Sequence, residues 1–161
     1  DAAVCEEALH SKMKEVLNRF KMGKLVYLCI ALKQLIKAKR VPCDLYLDGK
    51  EPIHLKRLLF VSCMNHKYEG GGFMFGPDAD YQDGMLDLCV VGNIPKPLIL
   101  VALPTAMKGK HFVFPCIEKY RAREIHIKTS EPLWVHTDGE VYVKSDDIYI
   151  KNEPTKMRMI V

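Results

Sequence analysis

The first forty residues carry the period of amphipathic helices. In residues 2–20 the apolar side chains recur at intervals of three and four, and Gly23 then interrupts the pattern. Residues 24–39 continue it, with leucines and isoleucines on one stripe and most lysines off that stripe. Pro42 cannot extend a helix, because its ring fixes φ and it has no N–H. The sequence therefore predicts two helices that end before Pro42.

After Val41 apolar and polar positions alternate, which is the period of β-strands. Asp48-Gly49 is a hairpin turn signal between a first strand and a return strand at residues 53–64, and Asp138-Gly139 is a second such signal. One inserted helix is predicted at residues 95–108. The other predicted strands are Leu86–Val91 and residues 121–128, 133–136, 141–143, 147–151 and 157–161. This order predicts an α+β, mainly β fold: an antiparallel β-sandwich-like domain with N-terminal helices and one inserted helix.

Composition narrows the class of protein. A chain of 161 residues fits one domain, residues 1–161, and its 48% apolar and 27% charged residues exclude disorder. No apolar run reaches the roughly 18 residues of a membrane span. The 6 cysteines lie far apart, with neither a Cys-x-x-Cys pair nor zinc spacing, and we interpret them as reduced thiols of a cytoplasmic protein. No basic strand is interleaved with aromatic residues, so no nucleic-acid partner is predicted.

Charge is unevenly distributed along the chain. The net charge is +4, and residues 21–40 contain lysines and an arginine but no acidic residue. Such a segment is either a solvated helix face or a surface that meets anionic lipid or polyanions. The residues alone leave both interpretations open.

Two turns concentrate carboxylates. The first contains Asp78, Asp80 and Asp83, whose oxygens are ligands that Mg²⁺ or Ca²⁺ prefers, although a solvated turn that leads into a strand explains the same residues. The second, Thr137-Asp138-Gly139-Glu140, is first of all a type I′ hairpin. Its carboxylates also form a pair that could activate a hydroxyl or bind a metal–phosphate. Both interpretations stay open for each turn.

Two further features have structural explanations. Gly70-Gly71-Gly72 permits a close backbone approach or simply a turn. No helix-start lysine or serine follows it, and the chain has no Gly-x-Gly-x-x-Gly, so neither of these phosphate-binding loops is present. His136 shares a strand face with Trp134, where a lone histidine is more often packed than catalytic.

Several motifs, taken in order, resemble one family. They are Gly70-Gly71-Gly72, Pro77, Asp83-Gly84-Met85-Leu86-Asp87, Lys108-Gly109-Lys110-His111, Tyr120-Arg121-Ala122 and Asp138-Gly139-Glu140. Together they resemble the diacylglycerol kinase-like family of bacterial lipid kinases, which includes sphingosine kinases and is distantly related to NAD kinases. Members of that family carry an N-terminal nucleotide-binding domain with a Gly-Gly-Asp-Gly-Thr motif, which this sequence lacks. The resemblance therefore implies the C-terminal, substrate-side domain of such a kinase, an antiparallel β-sandwich with accessory helices.

The resemblance also implies roles for both acidic turns. Glu140 would be the proton acceptor that orients the lipid hydroxyl toward the γ-phosphate of ATP, and Asp138 would assist it through Mg²⁺ or the hydroxyl. Asp83, the main-chain oxygen of Met85 and Asp80 would hold a second, structural Mg²⁺, with Asp80 at a position that varies in the family. Phosphoryl transfer needs positioning and charge neutralisation, which carboxylates and a metal ion supply.

The implied activity is ATP- and Mg²⁺-dependent phosphorylation of a lipid hydroxyl, with diacylglycerol converted to phosphatidic acid. The alternatives are a kinase of the same fold acting on a sphingoid base or another substrate, and a non-catalytic binding fragment. The isolated chain is expected to be inactive, because ATP would be bound mainly by the absent domain. Expected partners are that domain and the lipid at the inner face of the membrane, and the uncovered docking face would favour a homo-oligomer. Segment 21–40, with Lys33, Lys37 and Lys39, would lie at the lipid surface.

Overall fold

The structure is a computed structural model that describes residues 33, 35–69, 72–137 and 140–153, with only the backbone at 140–142. The predicted N-terminal helices lie outside the described residues, except that Lys33 and residues 35–37 are helical. The predicted strand at residues 157–161 also lies outside them.

The described residues form two antiparallel sheets. The strands are β1 (Val41–Leu47), β2 (Ile53–Leu58), β3 (Phe60–Met64), β4 (Leu86–Val91), β5 (Ile117–Ala122), β6 (Glu124–Thr137) and β7 (Glu140–Lys151). The first sheet has the order β2-β1-β6-β7 and the second has the order β3-β4-β5. Between β4 and β5 lie helix α1 (Lys96–Ala106) and a short 3-10 helix (His111–Val113). The predicted mainly β, sandwich-like fold with one inserted helix is confirmed.

Both Asp-Gly turn predictions agree with the strand register. Asp48 and Gly49 have positive φ angles of 52° and 69°, as a type I′ turn requires, and they join β1 to β2. β6 and β7 pair as far as Thr137 opposite Glu140, so only residues 138 and 139 separate these strands. The short strands predicted at 133–136, 141–143 and 147–151 are therefore parts of one long hairpin.

Two of the strand predictions are wrong in extent, because the chain passes from one sheet to the other within them. The predicted strand at 53–64 is β2 and β3: Leu58 and Leu59 are both buried, at 1% and 7% exposure, which alternation within one half-exposed strand cannot provide. The predicted strand at 121–128 is divided at Arg123 between β5 and β6. There, Asp48 Oδ1 accepts the N–H groups of Arg123 and Glu124 at 2.8 and 3.0 Å. These bonds hold the pKa of Asp48 below its usual value.

The core has two apolar layers, with β4 between them. One layer lies between the sheets and includes Leu45, Leu88 and Ile125. The other lies between the second sheet and α1 and includes Val91 and Ile99. Because both layers cover it, β4 is buried along its whole length. The first acidic turn leads directly into this most enclosed strand.

The four cysteines among the described residues are free thiols. Cys43 and Cys89 are buried, whereas Cys63 and Cys116 are half-buried. Burial raises the pKa of Cys89 to about 12, so its thiol is protonated at neutral pH. This agrees with the interpretation of these residues as reduced thiols.

Candidate active site

The first acidic turn, residues 77–85, is held in shape by hydrogen bonds between its aspartate side chains and its own backbone. Asp80 Oδ1 accepts the N–H of Gln82 at 2.9 Å, and Asp83 Oδ1 accepts the N–H of Met85 at 2.8 Å. Gly84 has a φ of 73°, a conformation that glycine adopts without steric cost. The fold thus keeps Asp80, Asp83 and the main chain of Met85 on one ordered turn.

Two cations of β5 fasten this turn to the second sheet. Lys119 Nζ contacts Asp78 and lies 3.6 Å from Asp87 Oδ1. The guanidinium of Arg121 contacts Asp83, and its Nε lies 3.4 Å from Asp87 Oδ2. The hydrogen bond from Lys119 holds the pKa of Asp78 below its usual value. Asp87 is paired opposite Arg121 in the sheet, so the register of β4 and β5 brings these charges to one face.

Asp87 is the buried member of this charge cluster. It is 2% exposed, and neither of its carboxylate oxygens has a hydrogen-bond partner in the described part of the chain. A buried carboxylate is costly unless opposite charges compensate it, and here Lys119 and Arg121 supply that compensation. In the sequence, Asp87 is recognised only as the last residue of the motif Asp83-Gly84-Met85-Leu86-Asp87. A sequence pattern could have indicated its place in the charge cluster, because Asp87 is the one charged residue in an otherwise apolar strand.

The predicted magnesium ligands, Asp80, Asp83 and the main-chain oxygen of Met85, lie on one partly exposed turn. No three His, Cys, Asp or Glu side chains among the described residues are grouped to hold a metal. The predicted set does not need three, because it consists of two carboxylates and a main-chain oxygen, all hard donors. The side chain of Asp83 is 27% exposed, so it reaches solvent. An ion bound here would share Asp83 with Arg121.

The second acidic turn, Asp138-Gly139-Glu140, is described only at its edge. Asp138 lies outside the described residues, and Glu140 is described by its backbone alone. Glu140 is the first residue of β7 and is paired with Thr137. The catalytic roles of Asp138 and Glu140 therefore stay predictions.

Glu69 immediately precedes Gly70 in the sequence, and its side chain contacts β6, the strand that leads into the second acidic turn. Its carboxylate accepts a hydrogen bond from Ser62 Oγ at 2.8 Å, and its Oε1 lies 3.4 Å from His136 Nε2. Its N–H donates to the carbonyl of Phe73 at 2.8 Å, and these two residues form an isolated antiparallel β-bridge. His136 is packed, as predicted, but its neighbour is a carboxylate that no local sequence pattern marks.

Replacing Glu69 with glutamine is expected to lower the free energy of unfolding by about 1 kcal/mol at pH 7. Burial by itself would raise the pKa of Glu69, but hydrogen bonds from His136 and Ser62 lower it below 4.5. A lowered carboxyl pKa stabilises the fold above the usual pKa and loses that effect as pH falls through the folded-state value. Urea unfolding should therefore show a difference in the free energy of unfolding between the wild type and Glu69→Gln that is smaller at acidic pH than at neutral pH.

The control for this prediction is Glu131→Gln, since the Glu131 side chain is 59% exposed. It is expected to leave stability within a few tenths of a kcal/mol. A Glu69→Gln deficit of equal size at both pH values would contradict the assignment.

An apolar cavity of about 30 Å³ lies between the second sheet and α1. Its lining includes Phe60, Phe75, Val91, Ile99, Leu103 and Ile117, and every lining side chain except His111 is apolar. His111 is 1% exposed, and neither ring nitrogen has a hydrogen-bond partner among the described atoms. Burial lowers its pKa to about 4, so the ring is neutral at pH 7. An apolar cavity with a neutral lining stays dry and accepts apolar groups.

The family model described as the YegS C-terminal NAD kinase beta sandwich-like domain matches residues 4–161. The chain belongs to this family. A diacylglycerol kinase of Mycobacterium tuberculosis, in strains CDC 1551 / Oshkosh and ATCC 25618 / H37Rv, is 30% identical over 122 residues. That match covers 76% of this chain but 39% of the relative, so the chain spans about two fifths of the curated relatives it matches.

Solved structures agree with membership of the YegS C-terminal family. A diacylglycerol kinase-like protein from Bacillus anthracis str. Sterne superposes with a TM-score of 0.57 at 25% identity, covering 78% of this chain and 42% of the other. A diacylglycerol kinase from the same strain gives a TM-score of 0.53 at 25% identity, with coverages of 75% and 41%. The resemblance to the diacylglycerol kinase-like family is confirmed.

In this YegS-type domain, the structure brings together only part of the predicted site. Asp80, Asp83 and Met85 share one turn that the charge cluster fastens to β4 and β5. No sequence pattern assigns an individual role to Glu69 or to His111, although His111 ends the motif Lys108-Gly109-Lys110-His111. Both are polar side chains whose positions become informative only when distant strands meet.

Proposed function

We propose that this chain is the substrate-side domain of an ATP- and Mg²⁺-dependent kinase that phosphorylates the hydroxyl of diacylglycerol. The observation that carries the proposal is the apolar cavity beneath α1. The acyl chains of a lipid need a site that excludes water, and the neutral ring of His111 adds no charge to this one. The names of the relatives support the choice of reaction.

An acyl chain enters the cavity by separating its walls. The cavity now has about the volume of one water molecule, so the lining side chains must move apart to admit a chain. These side chains are aliphatic and phenyl groups, and contacts with an acyl chain replace the dispersion contacts that they lose to one another. The small volume of the cavity also limits the contact of its apolar lining with water when no lipid is bound.

In this proposal the second acidic turn supplies the chemistry of the acceptor. Glu140 accepts the proton of the lipid hydroxyl and orients its oxygen toward the γ-phosphate of ATP, and Asp138 assists. Glu69 stabilises the approach to this turn through His136, on the strand that precedes it. An N-terminal domain of the full-length protein binds most of the ATP.

The first acidic turn serves as the support of the site. Asp80, Asp83 and the main-chain oxygen of Met85 would hold Mg²⁺, which when bound neutralises carboxylate charge and stiffens the turn. Lys119 and Arg121 already restrain this turn through Asp78 and Asp83. Lys119, Arg121 and the metal ion would thus all hold the first acidic turn in place beside the reacting groups.

The proposal is tested by phosphoryl transfer from labelled ATP in the full-length protein with Mg²⁺. Diacylglycerol, sphingosine, ceramide and NAD are offered separately, and diacylglycerol is expected to have the highest kcat/KM by about tenfold or more. Preference for sphingosine, ceramide or NAD would show a kinase for that substrate instead. Failure to label any of the four would contradict the proposal and favour a binding domain.

A further inference from the structure

The outward face of α1 is apolar, which is unusual for a helix on the surface of a protein. Exposed positions recur along one side of the helix and its C-terminal end: Lys96, Pro97, Leu100, Val101, Pro104, Met107 and Lys108. We call Pro97, Leu100, Val101, Pro104 and Met107 the outer face of α1. Leu100 is 51% exposed and Val101 is 56% exposed, so water covers large aliphatic groups here.

The charged side chains on α1 and on the segments that flank it in sequence are all positive. Residues 88–117 contain Lys96, Lys108 and Lys110 and no aspartate or glutamate. Lys96 is the first residue of α1, and Lys108 follows its C-cap, so cations stand at both ends of the apolar face. Val113, 75% exposed, adds apolar surface on the 3-10 helix that contacts α1. An apolar face bracketed by lysines matches an anionic bilayer, with acyl chains below a layer of phosphates.

The inner face of the same helix lines the apolar cavity, through Ile99, Ala102, Leu103 and Ala106. Helix α1 is therefore apolar on both sides, with the cavity inside and water outside. It has 11 residues, whereas a membrane span needs about 20. In the part of the chain that the structure describes, no helix has the length and hydropathy to cross a membrane. A bilayer contact by α1 is therefore a contact in the plane of the interface.

We propose that the outer face of α1 docks on the surface of an anionic phospholipid bilayer. Leu100 and Val101 enter the boundary of the acyl layer, and Lys96 and Lys108 meet the lipid phosphates. In this position α1 is the wall between the acyl layer and the cavity. The choice of a bilayer as partner rests on the proposed function, because a lipid substrate has to be taken from one.

The test is co-sedimentation of the full-length protein with vesicles of phosphatidylcholine and phosphatidylglycerol in equal parts. The double variant Leu100→Ser/Val101→Ser is expected to bind about tenfold more weakly or worse, because two aliphatic groups no longer leave water. Lys96→Gln/Lys108→Gln is expected to bind about 25-fold more weakly at low salt, about fivefold for each cation. Binding by the wild type should weaken as salt is added.

The matched control is Val143→Ser, because Val143 is 53% exposed on β7, close to the exposure of Val101. It is expected to bind vesicles as the wild type does, and thermal unfolding should be unchanged in all variants. Equal binding by Leu100→Ser/Val101→Ser and the wild type would overturn the proposal. So would a wild-type dimer that this variant disperses without any vesicle binding, which would make the face a protein interface.

A second substrate separates this proposal from the proposed function. A short-chain diacylglycerol that dissolves in water needs no bilayer, so the wild type and Leu100→Ser/Val101→Ser should phosphorylate it at equal rates. On vesicles containing long-chain diacylglycerol, the variant should be slower in proportion to its weaker binding. No phosphorylation of either lipid by the wild type would contradict the kinase assignment, while the sedimentation result would still decide the docking surface.

Discussion

Replacing Glu140 with glutamine in the full-length protein is expected to lower kcat for diacylglycerol phosphorylation by about 10²–10⁴-fold. Glutamine has nearly the same shape as glutamate, but its amide oxygen cannot take up the proton of the attacking hydroxyl. Glu140 begins β7, and only two residues separate it from Thr137 at the end of β6. KM for ATP should change little, because in the proposed kinase an N-terminal domain holds most of the nucleotide.

The matched control is Glu153→Gln, at the other end of the same hairpin. Glu153 is exposed and lies two residues beyond the last residue of β7. This variant should retain the wild-type kcat, and both variants should unfold at the temperature of the wild type. Retention of activity by Glu140→Gln would show that the proton acceptor is another group.

Acidification from pH 7 to pH 4 is expected to lower the free energy of unfolding by about 3 kcal/mol through protonation of His111 alone. Burial lowers the pKa of this histidine from 6.5 to about 4 in the folded chain. Between those values the unfolded chain binds a proton that the folded chain does not, so stability falls as the pH falls. The contribution is complete above pH 6.5 and is lost by about pH 4.

The measurement is urea unfolding of the chain across this pH range. His111→Phe keeps the ring contacts with Phe75 and Phe112, at centroid distances of 5.7 and 4.1 Å, and removes the titrating group. Its stability should vary less with pH than that of the wild type, by about 3 kcal/mol over the range. His66→Phe, at an exposed position, should keep the wild-type pH dependence. Parallel curves for His111→Phe and the wild type would contradict the burial argument.

Local sequence patterns correctly predicted a hairpin turn, a strand and the start of a helix, because short-range interactions determine each of these features. Asp48-Gly49 predicted the β1–β2 hairpin, because an Asp-Gly pair tolerates the positive φ angles of a type I′ turn. The apolar run Leu86–Val91 predicted a strand, and β4 forms there, between both core layers. Pro95 and Pro97 predicted the start of the inserted helix, since proline suits a first turn.

The crossings between the sheets could not be predicted in this way. Nothing in the alternation of residues 53–64 or 121–128 shows where a strand changes its partner. At Leu59 the change follows from two successive buried leucines, and at Arg123 it depends on a side chain, Asp48, that is distant in sequence. The partners of a strand are set by tertiary packing, which periodicity does not encode.

The candidate site also has a part that local sequence motifs predict and a part that only tertiary packing brings together. The acidic residues of both turns could be proposed from sequence because each turn is a contiguous motif. Glu69 and His136 are separated by a long stretch of chain, and only the assembled sheets bring them within 3.4 Å. His111 became informative because its burial leaves both ring nitrogens without partners among the described atoms.

The pairing of β1 with β6 has a consequence for biosynthesis. Cys43 of β1 is paired with Thr129 of β6, so the first sheet joins the early part of the chain to the late part. As the chain leaves the ribosome, the β1–β2 hairpin is present long before β6, and a lone hairpin is only marginally stable. Until then one edge of β1 is an open template for other strands. The first sheet is therefore completed only when the β6–β7 hairpin has been made, and this late pairing covers the open edge of β1.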